Sequence, residues 1–374
     1  MVRSVSHDML AQPTAEEAAR QQFVVAFKQA LNKGLRSSQA ALFDKVVAPA
    51  WREQHGRVPE TRAEIRAAMQ ADPAYRSWSS LARASQEQMW IAVGDSVFRE
   101  APRLAATAAA LDAAPTRRGS LHLDPEFVPP RGVTAVDIHL QTGGYALDLG
   151  DGDCSAGALY ESGGNLYAFG QGISRNDSKA AHVQRFIAER FAHLKPQRIL
   201  DMGCSAGSAS VPYAEAFPDA EVHAIDVGSG MLRYAHARAE ALGAAVHFHQ
   251  MNVAATRFAD ESFDLVVSHN LMHEISAPTR RGMLRESLRL LRPGGVCVHQ
   301  DIPLRYQGMA EFRKFEMSWD TLHNNEPYWE VYANADLEPE LLAAGFAKDC
   351  IHVGSLPARE GTLPWFVACA WRPL

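Results

Sequence analysis

The feature that most limits the fold is an alternation of short apolar segments and helical segments that begins near residue 178. RILDMG, AEVHAID, AVHFHQ, SFDLVVS and GGVCVHQD have the length and apolar content of buried strands, and segments with helical periodicity separate most of them. Two further strand candidates, KDCIHVG and PWFVACAW, follow the predicted helix LEPELLAAGF. Repeated strand–helix units specify a mostly parallel sheet with helices on both faces. We therefore predict an α/β fold whose seven-stranded sheet ends in an antiparallel pair.

The first third of the chain has a different pattern. Residues 14–112 are rich in Ala, Gln, Glu, Arg and Leu, and their apolar residues recur at helical spacing. Prolines and glycines interrupt this pattern, which predicts a bundle of four to six short helices. We assign residues 1–120 to a helical N-terminal domain that acts as a lid or in dimerisation, and residues 176–374 to the catalytic domain.

The segment between these two domains contains many turn-forming residues. APTRRGSLHLDPEFVPPRG has four prolines and two glycines, which is typical of a linker. Short alternating runs follow, and they are broken at residues 143–144, 151–152 and 163–164 by Gly-Gly or Asp-Gly pairs that favour hairpins. Residues 121–175 are therefore predicted to form a linker and a small antiparallel β unit.

Composition excludes several classes of protein. The 374 residues are 47% hydrophobic and 21% charged, as in an ordinary soluble globular protein. The start of the sequence lacks the apolar core of a signal peptide, and no run reaches the roughly 18 to 20 apolar residues of a membrane span. A net charge of -6 gives no general attraction for nucleic acid or anionic membranes. Five cysteines without C-x-x-C spacing indicate reduced thiols. We expect a cytoplasmic protein with neither nucleic-acid nor membrane partners.

The stretch ILDMGCSAGSAS resembles a phosphate-binding glycine loop that lacks one glycine. Gly203 and Gly207 are four residues apart, and Ser205 occupies the place of the middle glycine of a dinucleotide fingerprint. Ligands of open parallel sheets bind at the carboxyl ends of the strands, where this loop begins. Asp226 ends the next predicted strand, 25 residues after Asp201, and its carboxylate suits ribose hydroxyls. The glycine loop and Asp226 alone fit a nicotinamide dinucleotide as well as they fit other ligands that contain a ribose.

Four motifs, which follow one another along the chain, indicate which of these ligands the loop binds. ILDMGCSAG, HAIDVGSGML, FHQMNVAATRFADESFDLVVSHNLMHEI and LRLLRPGGVCVHQD resemble those of the class I S-adenosylmethionine-dependent methyltransferases over residues 178–374. In that family the first motif is Asp-x-Gly-x-x-x-Gly, and the cofactor has no pyrophosphate for the loop to approach. A small residue such as Ser205 is therefore accepted at the middle position. The resemblance implies a Rossmann-like fold and S-adenosyl-L-methionine as co-substrate.

The resemblance also implies roles for individual residues. It places Asp201, Gly203 and Gly207 around the amino-acid end of the cofactor, and the residues assigned to cofactor binding are Asp201, Gly203, Ser205, Gly207, Asp226, Met231, Asn252, Val253 and Ser268. Asp226 is implied to bind the ribose, Met231 to face the adenine, and Asn252 with Val253 to contact its edge. Many relatives have Asp where this chain has Asn252. Alternative roles are a helix cap for Asp226, core packing for Met231 and a turn for Asn252.

The acceptor side is less specific. His273, in the segment SHNLMHEI, is the first candidate for a general base, because imidazole titrates near neutral pH; His269 is a weaker one. The alternative for His273 is a structural histidine that only packs within its loop. Although His269 and His273 are spaced as H-x-x-x-H, no metal is expected here. The aromatic-rich residues 306–332 are predicted to cover the acceptor or to form a dimer interface.

These features favour a methyltransferase that acts on a small organic acceptor, with oxygen slightly preferred over nitrogen or carbon, in specialised or cofactor metabolism. A homodimer through the N-terminal helical domain is a further expectation. A second hypothesis is methylation of a protein or peptide side chain. A third is a non-catalytic scaffold that binds S-adenosylmethionine, but the intact first and second motifs argue against loss of function.

Overall fold

The computed structural model describes residues 6–150, 152–167, 177–356 and 364–374, without the side chains of residues 177 and 178. Its centre is an eight-stranded sheet in the order β1-β4-β3-β2-β5-β6-β8-β7. The strands are β1 Ser120–His122, β2 Arg198–Met202, β3 Glu221–Asp226, β4 His247–Gln250, β5 Phe263–His269, β6 Leu291–Asp301, β7 Ile351–Leu356 and β8 Trp365–Trp371. All neighbours are parallel except β6 with β8 and β7 with β8. The predicted α/β fold and its antiparallel end are confirmed, with one strand more than expected.

Helices cover both faces of the sheet and form the N-terminal region. The α-helices of the described residues are α1 Ala15–Ala30, α2 Gln39–Leu42, α3 Ala48–His55, α4 Arg62–Ala71, α5 Pro73–Asp112, α6 Arg131–Thr134, α7 Ser155–Tyr167, α8 Asp177–Arg190, α9 Ser210–Ala216, α10 Ser229–Ala241, α11 Ala277–Leu290, α12 Glu311–Met317, α13 Trp319–His323, α14 Trp329–Ala333 and α15 Leu337–Ala344. Two π-helical segments, Leu31–Arg36 and Phe43–Val47, flank α2. No helix of the described residues has a stretch long and apolar enough to cross a bilayer.

The N-terminal region is helical as predicted, but its helices are not all short. Helix α5 runs for 40 residues and continues through Pro102, which the sequence analysis treated as an interruption. A proline removes one backbone hydrogen bond, yet burial of an apolar face on either side stabilises the continuous helix. Val97 and Leu104, before and after that proline, are both fully buried.

The connecting segment differs most from its prediction. No hairpin is present in the described residues of 121–175, and residues 151 and 168–176 lie outside the description. Strand β1 pairs with β4 in parallel, and α7 occupies the place of the last expected hairpin. The glycines there permit close packing of a helix: a Cβ at Gly157 would lie 2.3 Å from Tyr234, and one at Gly163 would lie 2.3 Å from Trp90. The small antiparallel β unit is therefore wrong for the described residues: Gly163 is a contact position in α7, and the glycines at 143–144 and 152 form turns that no strands flank.

The buried side chains of each central strand alternate between the two faces of the sheet. Ile199 of β2 belongs to the apolar cluster on one face, and Leu200 and Met202 belong to the cluster on the other. A third cluster joins α1, α5 and α7 to α10 through residues such as Trp90 and Tyr234. The N-terminal helices thus share a core with the sheet domain, while their status as a separable domain stays a prediction.

Candidate functional site

A cavity of about 600 Å³ lies at the carboxyl ends of β2, β3 and β5. This edge is the one at which open parallel sheets bind ligands, because loops from neighbouring strands diverge there. Gly203 follows β2, Asp226 ends β3, and Asn270 follows β5, and all three line the cavity. The remaining walls come from α5, from residues 130–167 and from residues 302–329.

The glycine loop is a tight turn fixed to strand β3. Gly203, Ser205 and Gly207 all have positive φ angles, of 71°, 45° and 72°. The Gly203 amide donates to the Ile225 carbonyl at 2.8 Å, and the Ser205 amide donates to Asp226 Oδ2 at 2.9 Å. A Cβ at Gly203 would lie 2.7 Å from the side chain of Leu271. Glycine is thus required at 203 by both backbone angle and space, whereas Ser205 adopts the left-handed region itself.

Asp226 is the polar residue of this wall with the most clearly defined geometry. Its Oδ1 accepts from the amides of Val227 at 2.7 Å and Gly228 at 3.2 Å, while Oδ2 accepts from Ser205. Burial raises the pKa of Asp226, and these three backbone donors oppose that effect. Each carboxylate oxygen can accept more than one hydrogen bond. The carboxylate is therefore held in a fixed orientation while it still faces the cavity.

The other predicted cofactor residues fall into two groups. Ser205, Met231, Asn252 and Val253 line the cavity together with Gly203 and Asp226. The Oδ1 of Asn252 also accepts from the Ala254 amide at 2.9 Å, so this residue does form the turn that was one of its alternative roles.

Among the described residues, Asp201, Gly207 and Ser268 do not line the cavity. Asp201 Oδ2 accepts from the Ser210 hydroxyl at 2.6 Å, which ties β2 to the start of α9. Ser268 shares a hydrogen bond of 2.9 Å with His299 in the core. Asp201 Oδ1 is buried with no partner, and burial raises the pKa of this carboxyl to about 7. These residues shape the loop from behind.

The two histidines predicted as catalytic both line the cavity but have different partners. His269 contacts the Tyr213 hydroxyl at 3.1 Å and Gln300 Oε1 at 3.1 Å, and burial lowers its pKa to about 4. His273 Nδ1 lies 2.5 Å from Asp301 Oδ1, and its Nε2 lies 3.4 Å from Glu274 Oε1. Burial favours the neutral ring of His273, but the two carboxylates outweigh burial and hold its pKa well above the ordinary value.

The sequence analysis missed four residues that complete this end of the cavity. His139 lies between two carboxylates, with Nε2 2.8 Å from Glu274 Oε1 and Nδ1 2.8 Å from Glu326 Oε1. The Tyr145 hydroxyl donates to Glu274 at 3.0 Å. Glu274 follows His273 directly, so the motif that contains His273 could also have indicated Glu274. His139 and Glu326 carry no recognisable pattern, since contacts between distant segments bring them to the site.

The aromatic-rich insertion covers the cavity as predicted and also joins the N-terminal helices. Tyr328 and Trp329 line the cavity. Phe315 and Trp319 instead pack in a cluster with residues of α4 and α5, among them Trp78, whose ring centroid is 5.6 Å from that of Trp319. The aromatic side chains of this cluster therefore hold the cover against the N-terminal helices within one chain.

Comparisons with known proteins agree with this geometry. A model of the methyltransferase domain family matches residues 199–295. Malonyl-[acyl-carrier protein] O-methyltransferase of Methylococcus capsulatus is 32% identical over 193 residues, which are 48% of this chain and 65% of that protein. Phosphoethanolamine N-methyltransferase 1 of Arabidopsis thaliana is 30% identical over 183 residues, which are 47% of this chain and 36% of that protein. The chain thus spans less than two thirds of either relative.

Among solved structures, phosphoethanolamine N-methyltransferase 2 of Haemonchus contortus is 18% identical, with a TM-score of 0.40 over 51% of this chain and 52% of that one. The sheet order and the glycine loop at its carboxyl edge define a class I methyltransferase fold. The matching family model identifies residues 199–295, in the sheet, as a methyltransferase domain.

Proposed function

We propose that the protein binds S-adenosyl-L-methionine and methylates a small organic acceptor. The observation that carries this proposal is the position of Asp226, a buried carboxylate fixed by three amides at the end of β3 and facing the cavity. Such a carboxylate accepts hydrogen bonds from the two ribose hydroxyls of a nucleoside. A cavity of about 600 Å³ lies within the range of small-molecule sites, roughly 300 to 1,000 Å³.

The residues on the glycine-loop side fit this nucleoside. The turn at Gly203 brings backbone close to the cavity, and Met231 and Val253 supply apolar surface for an adenine ring. When bound, S-adenosylmethionine supplies an electrophilic methyl group on a sulfonium. The protein then has to orient the acceptor and to remove its proton where the acceptor atom requires it.

The opposite side of the cavity supports an oxygen acceptor. His139, His273, Glu274 and Glu326 line it, and Tyr145 adds a hydroxyl. This set of charged and hydroxyl groups suits a polar acceptor whose hydroxyl must lose a proton. The roles of His273 and His269 as catalytic residues stay predictions, and so does dimerisation through the N-terminal helices.

Cofactor affinity of Asp226 variants tests the proposal. Asp226→Ala removes the acceptor of two ribose hydrogen bonds, each of which contributes about 1.5 to 3 kcal/mol when one partner is charged. Calorimetry with S-adenosylhomocysteine should show at least a 10-fold loss of affinity, and NAD should not bind the unmodified protein. Asp226→Asn, which keeps the size of the side chain, should also bind more weakly.

A matched control is Asp219→Ala, which removes an exposed carboxylate before β3. This control should bind S-adenosylhomocysteine normally. Equal affinity of the Asp226 variants and the unmodified protein, with circular dichroism showing intact helices in each, would contradict the assignment of the nucleoside site.

A further inference from the structure

We propose that one divalent first-row transition-metal ion binds to His139, His273, Glu274 and Glu326. This ion coordinates an oxygen atom of the methyl acceptor. The metal site stands on its own geometry, whereas the role toward the acceptor rests on the proposed function. The site differs from the expectation from sequence, in which no metal was assigned.

The geometry brings two nitrogens and two carboxylate oxygens to one point. One ligand atom from each of the four residues lies within 4.8 Å of all the others. Zinc binds nitrogen and oxygen atoms at about 2.0 to 2.2 Å. Two ligand atoms of one such ion are therefore at most about 4.4 Å apart. A pair of ligand atoms at the 4.8 Å limit has to approach by about 0.4 Å to reach that range.

One buried carboxylate oxygen of the cluster has no hydrogen-bond partner within the described residues. Glu326 is 2% exposed and lines the cavity, yet its Oε2 has no hydrogen-bond partner. The Oδ1 of Asn324, another lining residue, is buried and unpartnered as well. Buried polar oxygens without partners are costly and uncommon in native proteins. An ion in the cluster would satisfy Glu326 directly.

The groups behind the cluster orient its ligands as they do in known metal sites. Asp301 Oδ1 lies 2.5 Å from His273 Nδ1, and Asp301 Oδ2 accepts from the amides of Met272 at 2.7 Å and His273 at 3.3 Å. This carboxylate therefore fixes the ring and leaves Nε2 to face Glu274. Metal-ligating histidines almost always donate their other ring nitrogen to such a partner. The Tyr145 hydroxyl donates to Glu274 in the same way.

The backbone at His139 is held in an unusual conformation that aims its ring at the cluster. His139 and Leu140 have φ angles of 57° and 61°, which residues with a side chain seldom adopt. The His139 carbonyl accepts from Trp90 Nε1 at 2.6 Å and from Gln86 Nε2 at 3.1 Å, both on α5. Strained backbone persists where surrounding structure fixes it, and it concentrates at functional sites.

The ligand types decide the class of ion. Two imidazoles with two carboxylates suit zinc, manganese, iron, cobalt or nickel, whereas magnesium and calcium prefer oxygen ligands alone. Four protein ligands leave positions on the cavity side of a five- or six-coordinate ion. An acceptor hydroxyl or enol bound there would lose its proton to solvent water more readily, because a divalent ion lowers the pKa of a coordinated oxygen. His273 is then a ligand rather than the general base expected from sequence.

The competing interpretation is a metal-free network in which His139 forms ion pairs with Glu274 and Glu326. Cobalt(II) distinguishes the two, since its visible absorption changes when imidazole and carboxylate replace water. The full-length protein is treated with a chelator, dialysed and titrated with cobalt(II) chloride, and the metal content of untreated protein is measured by plasma mass spectrometry. We expect one tightly bound cobalt per chain and release of that ion by excess zinc.

Variants locate the ion. Glu326→Gln and His139→Gln should each weaken cobalt binding by at least 10- to 100-fold, a range that outer-shell changes alone reach. The control is His249→Gln, which removes a histidine of the sheet outside this cavity and should leave cobalt binding unchanged. Circular dichroism and S-adenosylhomocysteine affinity verify the fold of each variant.

The outcomes separate this inference from the proposed function. Normal binding of S-adenosylhomocysteine without a stoichiometric metal would overturn the metal site alone. The site is also overturned if Glu326→Gln binds cobalt normally, or if His249→Gln loses as much affinity as His139→Gln. Failure to bind S-adenosylhomocysteine contradicts the proposed function, whereas one cobalt per chain that depends on Glu326 supports the metal site in either case.

Discussion

Two groups of histidines in this molecule have opposite surroundings. The sheet histidines, His122, His223, His247 and His249, lie side by side on β1, β3 and β4, and their nearest ring partners are one another. His223 Nδ1 is 3.0 Å from His249 Nε2. The cavity histidines, His139 and His273, each contact two carboxylates, whereas among the sheet histidines His223 contacts one, Glu221 Oε1, at 3.2 Å.

The two groups therefore carry different charges. Burial lowers the pKa of His223 to about 4 and that of His249 to about 3, and neighbouring histidines add to the effect for His249. Burial acts on His139 in the same direction, but Glu326 and Glu274 outweigh it and raise the pKa of His139 well above the ordinary value. The residue type alone does not define a functional histidine. What distinguishes the two groups is the charge of the residues that other segments of the chain place around each histidine.

We expect the largest effect when the methyl-transfer activity is compared between a variant of a cavity histidine and a variant of a sheet histidine. His273→Gln should lower methyl transfer to an oxygen acceptor by roughly 10²- to 10⁴-fold, since it removes a group on the acceptor side. His249→Gln should keep full activity because its ring lies outside the cavity. The measurement is release of S-adenosylhomocysteine, with cofactor affinity determined in parallel. Comparable losses in both variants would remove the functional contrast between the groups.

A second test concerns stability in acid. The unfolded chain protonates His223 and His249 near pH 6.5, whereas the folded protein does so only near pH 4 and 3. The unfolded state thus binds more protons below pH 6.5, and the free energy of unfolding must fall as pH decreases from there toward 4. Allowing for partial exposure, we expect these two residues to account for about 1 to 3 kcal/mol.

The double variant His223→Gln/His249→Gln isolates this contribution. Urea unfolding of both proteins at pH 7.0 and pH 4.5 should show a smaller decrease in the variant. Parallel decreases would mean that the two sheet histidines are protonated at ordinary pH in the folded protein.

The smallest effect is expected at the edge of the sheet. The Ser120 hydroxyl lies 2.9 Å from both His122 Nε2 and His247 Nδ1. Ser120→Ala should lower the free energy of unfolding by about 0.5 to 1.5 kcal/mol, the net contribution of an ordinary hydrogen bond. Activity should not change. A larger loss would show that Ser120 organises the sheet histidines rather than only pairing with two of them.

The sequence predicted those features that depend on residues close together in the chain. Strands β2 to β8 were predicted because their apolar runs and the helices between them repeat, and the loop at Gly203 because one turn defines it. Glycine has two uses, and the sequence does not tell them apart: at Gly157 and Gly163 close packing with Tyr234 and Trp90 decides the structure. Only the folded chain shows which use applies.

The acceptor side was predictable only in part. His273 stood in a motif, but the residue that pairs with Glu274 from across the cavity, His139, is 135 positions away in the chain. No local pattern marks such a residue. The ligands of the proposed metal site come from three separate segments of the chain, so no spacing in the sequence marks them as one set.

The contact between Trp90 and the His139 carbonyl makes the N-terminal helices part of the acceptor wall. The two halves of the cavity therefore come from different parts of the gene. Residues 203–253 form most of the cofactor wall, while the acceptor wall is assembled largely from α5, residues 130–167 and residues 269–329. Selection or engineering can then vary acceptor specificity through the latter segments and leave the cofactor loop intact. A shortened chain that begins at residue 176 would keep that loop and residues 269–329, and would lose the part of the cavity wall that α5 and residues 130–167 supply.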